Sequence, residues 1–113
     1  MEPAQSDTLY VMRYVGILQD VVKIGRSVDP GKRRKGLEAG HNFRLEILAI
    51  FPGRGHLEPV VHRILKNCRS TRGSGTEWFC VDLPGALEAV AEAVLVDERG
   101  LAQYRLRNHA PLL

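Results

Sequence analysis

Between Arg44 and Phe51 the chain sets Leu45, Ile47, Ala49 and Phe51 at alternate positions, with Leu48 and Ile50 between them. Alternation of this kind marks a strand with Leu45, Ile47, Ala49 and Phe51 on one face, and a strand apolar on both sides belongs in the middle of a sheet. Neighbours for it are available. Thr8-Leu9-Tyr10-Val11-Met12-Arg13-Tyr14 is rich in β-formers, and Val21-Val22-Lys23-Ile24-Gly25 follows after a turn region around Gly16 and Gln19-Asp20, so the two read as a hairpin. Glu77-Trp78-Phe79-Cys80-Val81 reads as a further short strand.

Helices separate these strands. Asp29 as N-cap and Pro30 at the first helical position predict a helix through Lys32 to Ala39 that stops at Gly40. Gly31 and Gly36 weaken it, so it depends on docking. Leu57, Val60, Val61, Ile64 and Leu65 form one apolar stripe at helical spacing, and Pro59 is tolerated there only if that helix begins close to His56. Asn67 to Thr76, with Ser70, Gly73, Ser74 and Gly75, reads as a loop. Asp82 and Pro84 open a last helix through about Asp97, faced by Leu83, Leu87, Val90, Val94 and Leu95, while Tyr104, Leu106 and the end of the chain either dock or fray. The order implies a small α+β fold, a mainly antiparallel sheet of three to four strands flanked by helices. We expect one domain over residues 1–113, with a core at 8–81 and a helix and tail at 82–113.

Composition removes several classes of function. At 113 residues, 44% hydrophobic and 26% charged, the chain has room for one modest core and is not a disordered or fibrous sequence. No apolar run approaches the ~20 residues of a membrane span, and the first residues are acidic and polar rather than a basic leader. Cys68 and Cys80 form one possible pair without CxxC spacing, and the four histidines make no finger pattern. The expectation is a cytoplasmic protein with reduced thiols and no membrane partner.

The net charge of +3 is less informative than its distribution. Residues 8–80 hold thirteen Lys and Arg against six Asp and Glu, whereas residues 81–113 hold three against five. Arg13, Lys23, Arg26, Lys32, Arg33, Arg34 and Lys35 form one basic group, and Arg63, Lys66, Arg69 and Arg72 a second. Clustering of this sort suits a phosphate-binding surface, although a solvated face has the same composition.

Leu9-Tyr10-Val11, Lys23-Ile24-Gly25-Arg26, Asp29-Pro30 with Arg33, Glu58 and His62 on a helix, and Glu77-Trp78-Phe79 occur in an order and spacing that resembles the GIY-YIG endonuclease superfamily. The similarity runs from about Thr8 to Val81 and is to the phage and bacterial branch whose second motif begins with lysine. The resemblance implies a GIY-YIG-like fold and a phosphodiesterase that cuts DNA with one Mg2+ or Mn2+ ion. It also implies roles. Tyr10 would help activate the attacking water, Arg33 would stabilise phosphate charge, Glu58 would bind the metal, and His62 and Arg26 would be polar members of the site.

The chemistry can be weighed from the residues themselves. A phenol has a reference pKa of about 10, so Tyr10 is a poor base unless a cation favours its ionised form. Lys23 can do that if the two share a sheet face. Otherwise Tyr10 is a core aromatic and Lys23 an edge charge. Adjacent helical residues lie ~100° apart, so only one of Arg33 and Arg34 can face a given site. With the resemblance implying Arg33 for the scissile phosphate, Arg34 and Lys35 are assigned to flanking backbone, joined by Arg54 and Arg72. Helix solubility is the plainer account of Lys35. Glu58 and His62, four apart, stack on one side of a helix. A lone carboxylate is an adequate magnesium ligand, whereas zinc wants three or four ligands that His41, His56 and His109 do not complete. Glu58 is equally suited to the first turn of a helix, and Glu77 is a second carboxylate candidate. Trp78 and Phe79 read as core.

Two functions follow, and the acidic last helix alone suggests a third, an interaction domain without nucleic acid. The first is a metal-dependent DNA endonuclease with Tyr10, Lys23, Arg26, Arg33 and His62 catalytic and Glu58 on the metal. The second is a nucleic-acid-binding or accessory module with the same fold and a decayed site. A domain this small gains specificity from a homodimer, a further domain or a partner protein.

Overall fold

The computed structural model describes residues 7–70 and 77–109, with side chains to residue 98. Its elements are β1 (Thr8–Tyr14), β2 (Val22–Ser27), α1 (Pro30–Glu38), β3 (Leu45–Phe51), α2 (Glu58–Ile64), β4 (Trp78–Phe79) and α3 (Leu83–His109), with short 3-10 turns at Gly55–Leu57 and Lys66–Cys68 on either side of α2. The α+β class and the antiparallel sheet are as the sequence predicts. The strands lie in the order β3-β1-β2-β4, and every neighbouring pair is antiparallel.

That order corrects the reading of β3, which lies at the rim and not in the middle. The interior positions go to β1, where Leu9, Tyr10, Val11 and Met12 are all buried, and to β2. The alternation in β3 misleads for a physical reason. Opposite β1 its register runs Val11↔Ala49 and then Met12↔Ile47, so Leu48 is an extra residue in a β-bulge. A bulge reverses the two-residue phase of a strand. Leu45 and Ile47 therefore pack with Tyr10, Met12 and Trp78 on one face of the sheet. Ala49 and Phe51 pack with Leu9, Val11 and Ile24 on the other. What looked like one continuous apolar face is divided between two layers.

Each layer has its own helices. Leu57, Val61 and Leu65 around α2, with Ala86, Ala89, Val90 and Ala93 of α3, close the face that carries Leu9, Val11, Val22 and Ile24. The opposite face is covered more thinly, by Leu37 of α1, Phe43 and the ring of Tyr14, which stacks on Trp78 at a centroid separation of 4.6 Å. α1 buries none of its residues completely. It is held by polar ties instead: Asp29 Oδ1 accepts from the Lys32 amide at 3.0 Å, and Glu38 Oε2 accepts from the Leu45 amide at 2.6 Å and from Arg34 at 3.3 Å. Gly40, at φ 78°, takes the left-handed turn that ends the helix.

α3 runs to His109 rather than stopping near Asp97. One glycine costs a helix only about 1 kcal/mol relative to alanine, so Gly100 is a weak stop inside the run that follows. The second half of the predicted loop, residues 71–76, lies outside the described residues, and its start is the 3-10 turn Lys66–Cys68. Cys68 and Cys80 are both free thiols. Among the described residues no helix is long and apolar enough to cross a membrane.

Candidate functional site

The site gathers where β4 stops. Val22 and Lys23 of β2 pair with Phe79 and Trp78, and the last ladder bond on that side runs from the Ile24 amide to the Glu77 carbonyl at 2.9 Å. Beyond it, Gly25–Ser27 have no strand partner on the β4 side among the described residues.

Tyr10 lies directly opposite Gly25 in the β1–β2 ladder. Lys23, two residues from Gly25, shares that face of the sheet. The absence of a side chain at Gly25 makes room for the phenol. A Cβ there would stand 2.5 Å from the Tyr10 oxygen, 2.6 Å from its Cζ and 2.7 Å from Glu77 Oε1. Tyr10 is 1% exposed, and its hydroxyl accepts a hydrogen bond from the Arg33 side chain. Burial raises the phenol's pKa first, the negative charge of Glu77 next and that of Glu58 least, against the opposing pull of Arg33. Tyr10 is therefore a neutral phenol across the physiological range.

Lys23 does not play the part its position suggests. Its ammonium lies 3.0 Å from Glu77 Oε1, buried, and 5.6 Å from the centre of the Trp78 ring. The cation that meets the phenol oxygen is Arg33, while Lys23 anchors the carboxylate beside it. Glu77 is thus the participant that sequence reasoning weighed only as a spare carboxylate. The sequence signal was Gly25: glycine inside a strand marks a close approach, and here two side chains converge on it.

The other sheet face contributes the remaining candidates. His62 Nε2 lies 2.7 Å from the Ile24 carbonyl oxygen. A carbonyl only accepts, so Nε2 carries the proton and Nδ1 is the ring's second polar atom. The imidazole occupies the place where a longer β4 would have continued the ladder, and it is steadied by Phe79 at 4.9 Å. This bond ties α2 to β2. Glu58, one turn earlier on α2 and half-buried, is close enough to add to the rise in the Tyr10 pKa. Arg26 lies opposite Leu9 on the α2 side of the sheet, exposed, with its Nε 3.6 Å from Asp7.

Tyr10, Lys23, Arg33 and Glu77 are therefore in one network, Glu58 is within its field, and His62 and Arg26 flank the same end of β2. The basic residues assigned to flanking DNA are more scattered. Arg34 is turned to Glu38, in the tie that joins α1 to β3. Lys35 is exposed on α1, and Arg54 is half-buried at the turn before α2. Arg72 lies outside the described residues. Trp78 and Phe79 are core, at 3% and 0% exposure.

No three His, Cys, Asp or Glu side chains converge on a metal-sized site among the described residues. The donor set around the phenol is one carboxylate, Glu58, with Glu77 already held by Lys23. That set does not suit zinc, which takes three or four protein ligands. It fits a hard cation that keeps most of its waters and adds phosphate oxygen.

Fold and site together describe a small α+β domain with a phenol, an arginine and two carboxylates at the open end of a strand. The chain matches the T5orf172 domain over residues 7–95 and belongs to that family. It is a phage-associated domain linked to GIY-YIG-like and HNH-like nuclease folds. No curated protein and no solved structure matches the chain.

Proposed function

We infer that this protein is a DNA endonuclease of GIY-YIG type that hydrolyses phosphodiester bonds with one Mg2+ or Mn2+ ion. The observation that carries the reading is the meeting of Tyr10 and Glu77 over Gly25, with Arg33 on the phenol and Glu58 near enough to act on it too. Phosphodiester hydrolysis needs positive charge at the non-bridging oxygens and a positioned water. Arg33 supplies charge in a fork matched to phosphate, and Arg26 supplies a second guanidinium at the same strand end. Tyr10, neutral and fixed by Arg33, orients the water through its hydroxyl and passes a proton toward the neighbouring carboxylate. Lys23 holds Glu77 in place for that through their 3.0 Å ion pair. His62 holds the α2 turn that carries Glu58. Glu58 would hold the metal, which when bound would supply Lewis-acid stabilisation of phosphate charge.

The test is cleavage of supercoiled and linear DNA by the purified protein. Nicking that needs Mg2+ or Mn2+, stops with a chelator and is lost in Glu58→Ala with an unchanged circular dichroism spectrum supports the reading. Salt-sensitive DNA binding without metal-dependent cleavage at any pH replaces it with the accessory module. Cleavage that is undiminished in Glu58→Ala removes the metal assignment.

A further inference from the structure

Beside Arg33 the surface opens into a groove between the end of β2 and α1, lined by Ser27, Val28, Asp29, Lys32, Arg33 and Gly36. Positions 29, 32, 33 and 36 share one side of a helix, so the groove is the face that α1 turns along the end of β2 that β4 leaves uncovered. Its lining has an unusual composition. Val28 is apolar and 52% exposed. Lys32 is exposed and, among the described residues, has no carboxylate partner. The one acid, Asp29, directs Oδ1 to the Lys32 amide.

Gly36 is the most telling member. It lies inside a nine-residue helix, its φ is not in the left-handed region, and a Cβ there would meet nothing within 4 Å. Neither backbone conformation nor packing calls for glycine, and alanine would favour the helix. A bare backbone in that place makes sense when a ligand comes up against it.

We propose that this groove is a nucleotide subsite, holding the nucleotide that adjoins the scissile phosphate in a DNA strand. The sugar and base lie against Val28 and the exposed backbone of Gly36. The adjoining phosphate lies on Lys32, which points about 100° away from Arg33 around the helix and so reaches a different phosphate. The proposal rests on the reading of Arg33 as the ligand of the scissile phosphate.

The experiment is binding of a short fluorescein-labelled single-stranded deoxyoligonucleotide, followed by anisotropy in a chelator over a series of salt concentrations. Gly36→Leu fills the groove and is expected to weaken binding about tenfold, the size of one lost base contact. Gly36→Ala is expected to raise Tm while weakening binding. Lys32→Ala is expected to lower the slope of log K against log salt by about 0.7, one phosphate's worth on a single strand. Glu88→Gln, exposed on α3 and not part of the groove lining, is expected to bind as wild type does. A folded Gly36→Leu protein with wild-type binding, or an unchanged salt slope in Lys32→Ala, overturns the subsite even if the protein cuts DNA. Binding that depends on Gly36 and Lys32 in a protein that cleaves nothing upholds the subsite while the nuclease reading fails.

Discussion

Replacing Gly25 by alanine adds one methyl group at the point where the candidate site is tightest. The methyl would stand 2.5 Å from the Tyr10 oxygen and 2.7 Å from Glu77 Oε1. Carbon contacts settle at about 3.5–4.0 Å, so something must move by about 1 Å. Neither neighbour can yield easily. Tyr10 is buried among Met12, Leu45 and Trp78. Glu77 is tied by its carbonyl to the Ile24 amide and by its carboxylate to Lys23. The strain falls on the β1–β2 pairing or drives the phenol off Arg33. Overpacking of this kind costs about 1–3 kcal/mol, and a displacement of about 1 Å in a site costs on the order of 100-fold in rate. Urea unfolding and single-turnover DNA cleavage measure the two effects. Gly31→Ala is the control, because its methyl meets only Asp29 Oδ1 at an ordinary 3.5 Å. The reasoning fails if Gly25→Ala unfolds within about 0.5 kcal/mol of wild type and cleaves at full rate.

Two further outcomes are expected. Tyr10→Phe removes a group whose folded pKa is raised above the ordinary value of 10.0. The folded protein therefore holds that proton more tightly than the unfolded chain, a stabilisation present below pH 10 and lost as pH rises through the folded value. Wild type should lose stability above about pH 10 in urea titrations, the variant should lose less, and cleavage should fall in the variant at every pH. His62→Ala leaves the Ile24 carbonyl without its imidazole partner, which should cost about 1–3 kcal/mol and lower cleavage. His62→Gln restores a donor and should recover part of the stability, as Tm will show.

Much of the fold was legible because its signals are local. The Asp29-Pro30 start and Gly40 stop of α1 need only backbone sterics, and the stripe from Leu57 to Leu65 needs only helical period. The position of β3 was not legible, since a bulge is a property of two strands and leaves the sequence of each looking regular. The site divides in the same way. Tyr10 and Lys23 share a face, as hairpin pairing allows, and Glu58 and His62 keep their four-residue spacing on α2. The partnership between Lys23 and Glu77 joins residues far apart in the chain, and only the sheet shows that it takes Lys23 away from the phenol. The turn of Arg34 toward Glu38 was likewise hidden, because the bond that fixes Glu38 comes from the amide of Leu45.

The bulge at Leu48 has a mechanical consequence. Because β3 sends Leu45 and Ile47 into one layer and Ala49 and Phe51 into the other, it cannot slide along β1 by one residue without exchanging the contents of both. The strand acts as a registration pin with two opposed teeth. Tyr10 and Val11 lie on the phase-shifted side of that pin, opposite Ile50 and Ala49. A strand that supplies no candidate residue thus helps to hold the phenol over Gly25, on the side of the sheet where Arg33 can reach it.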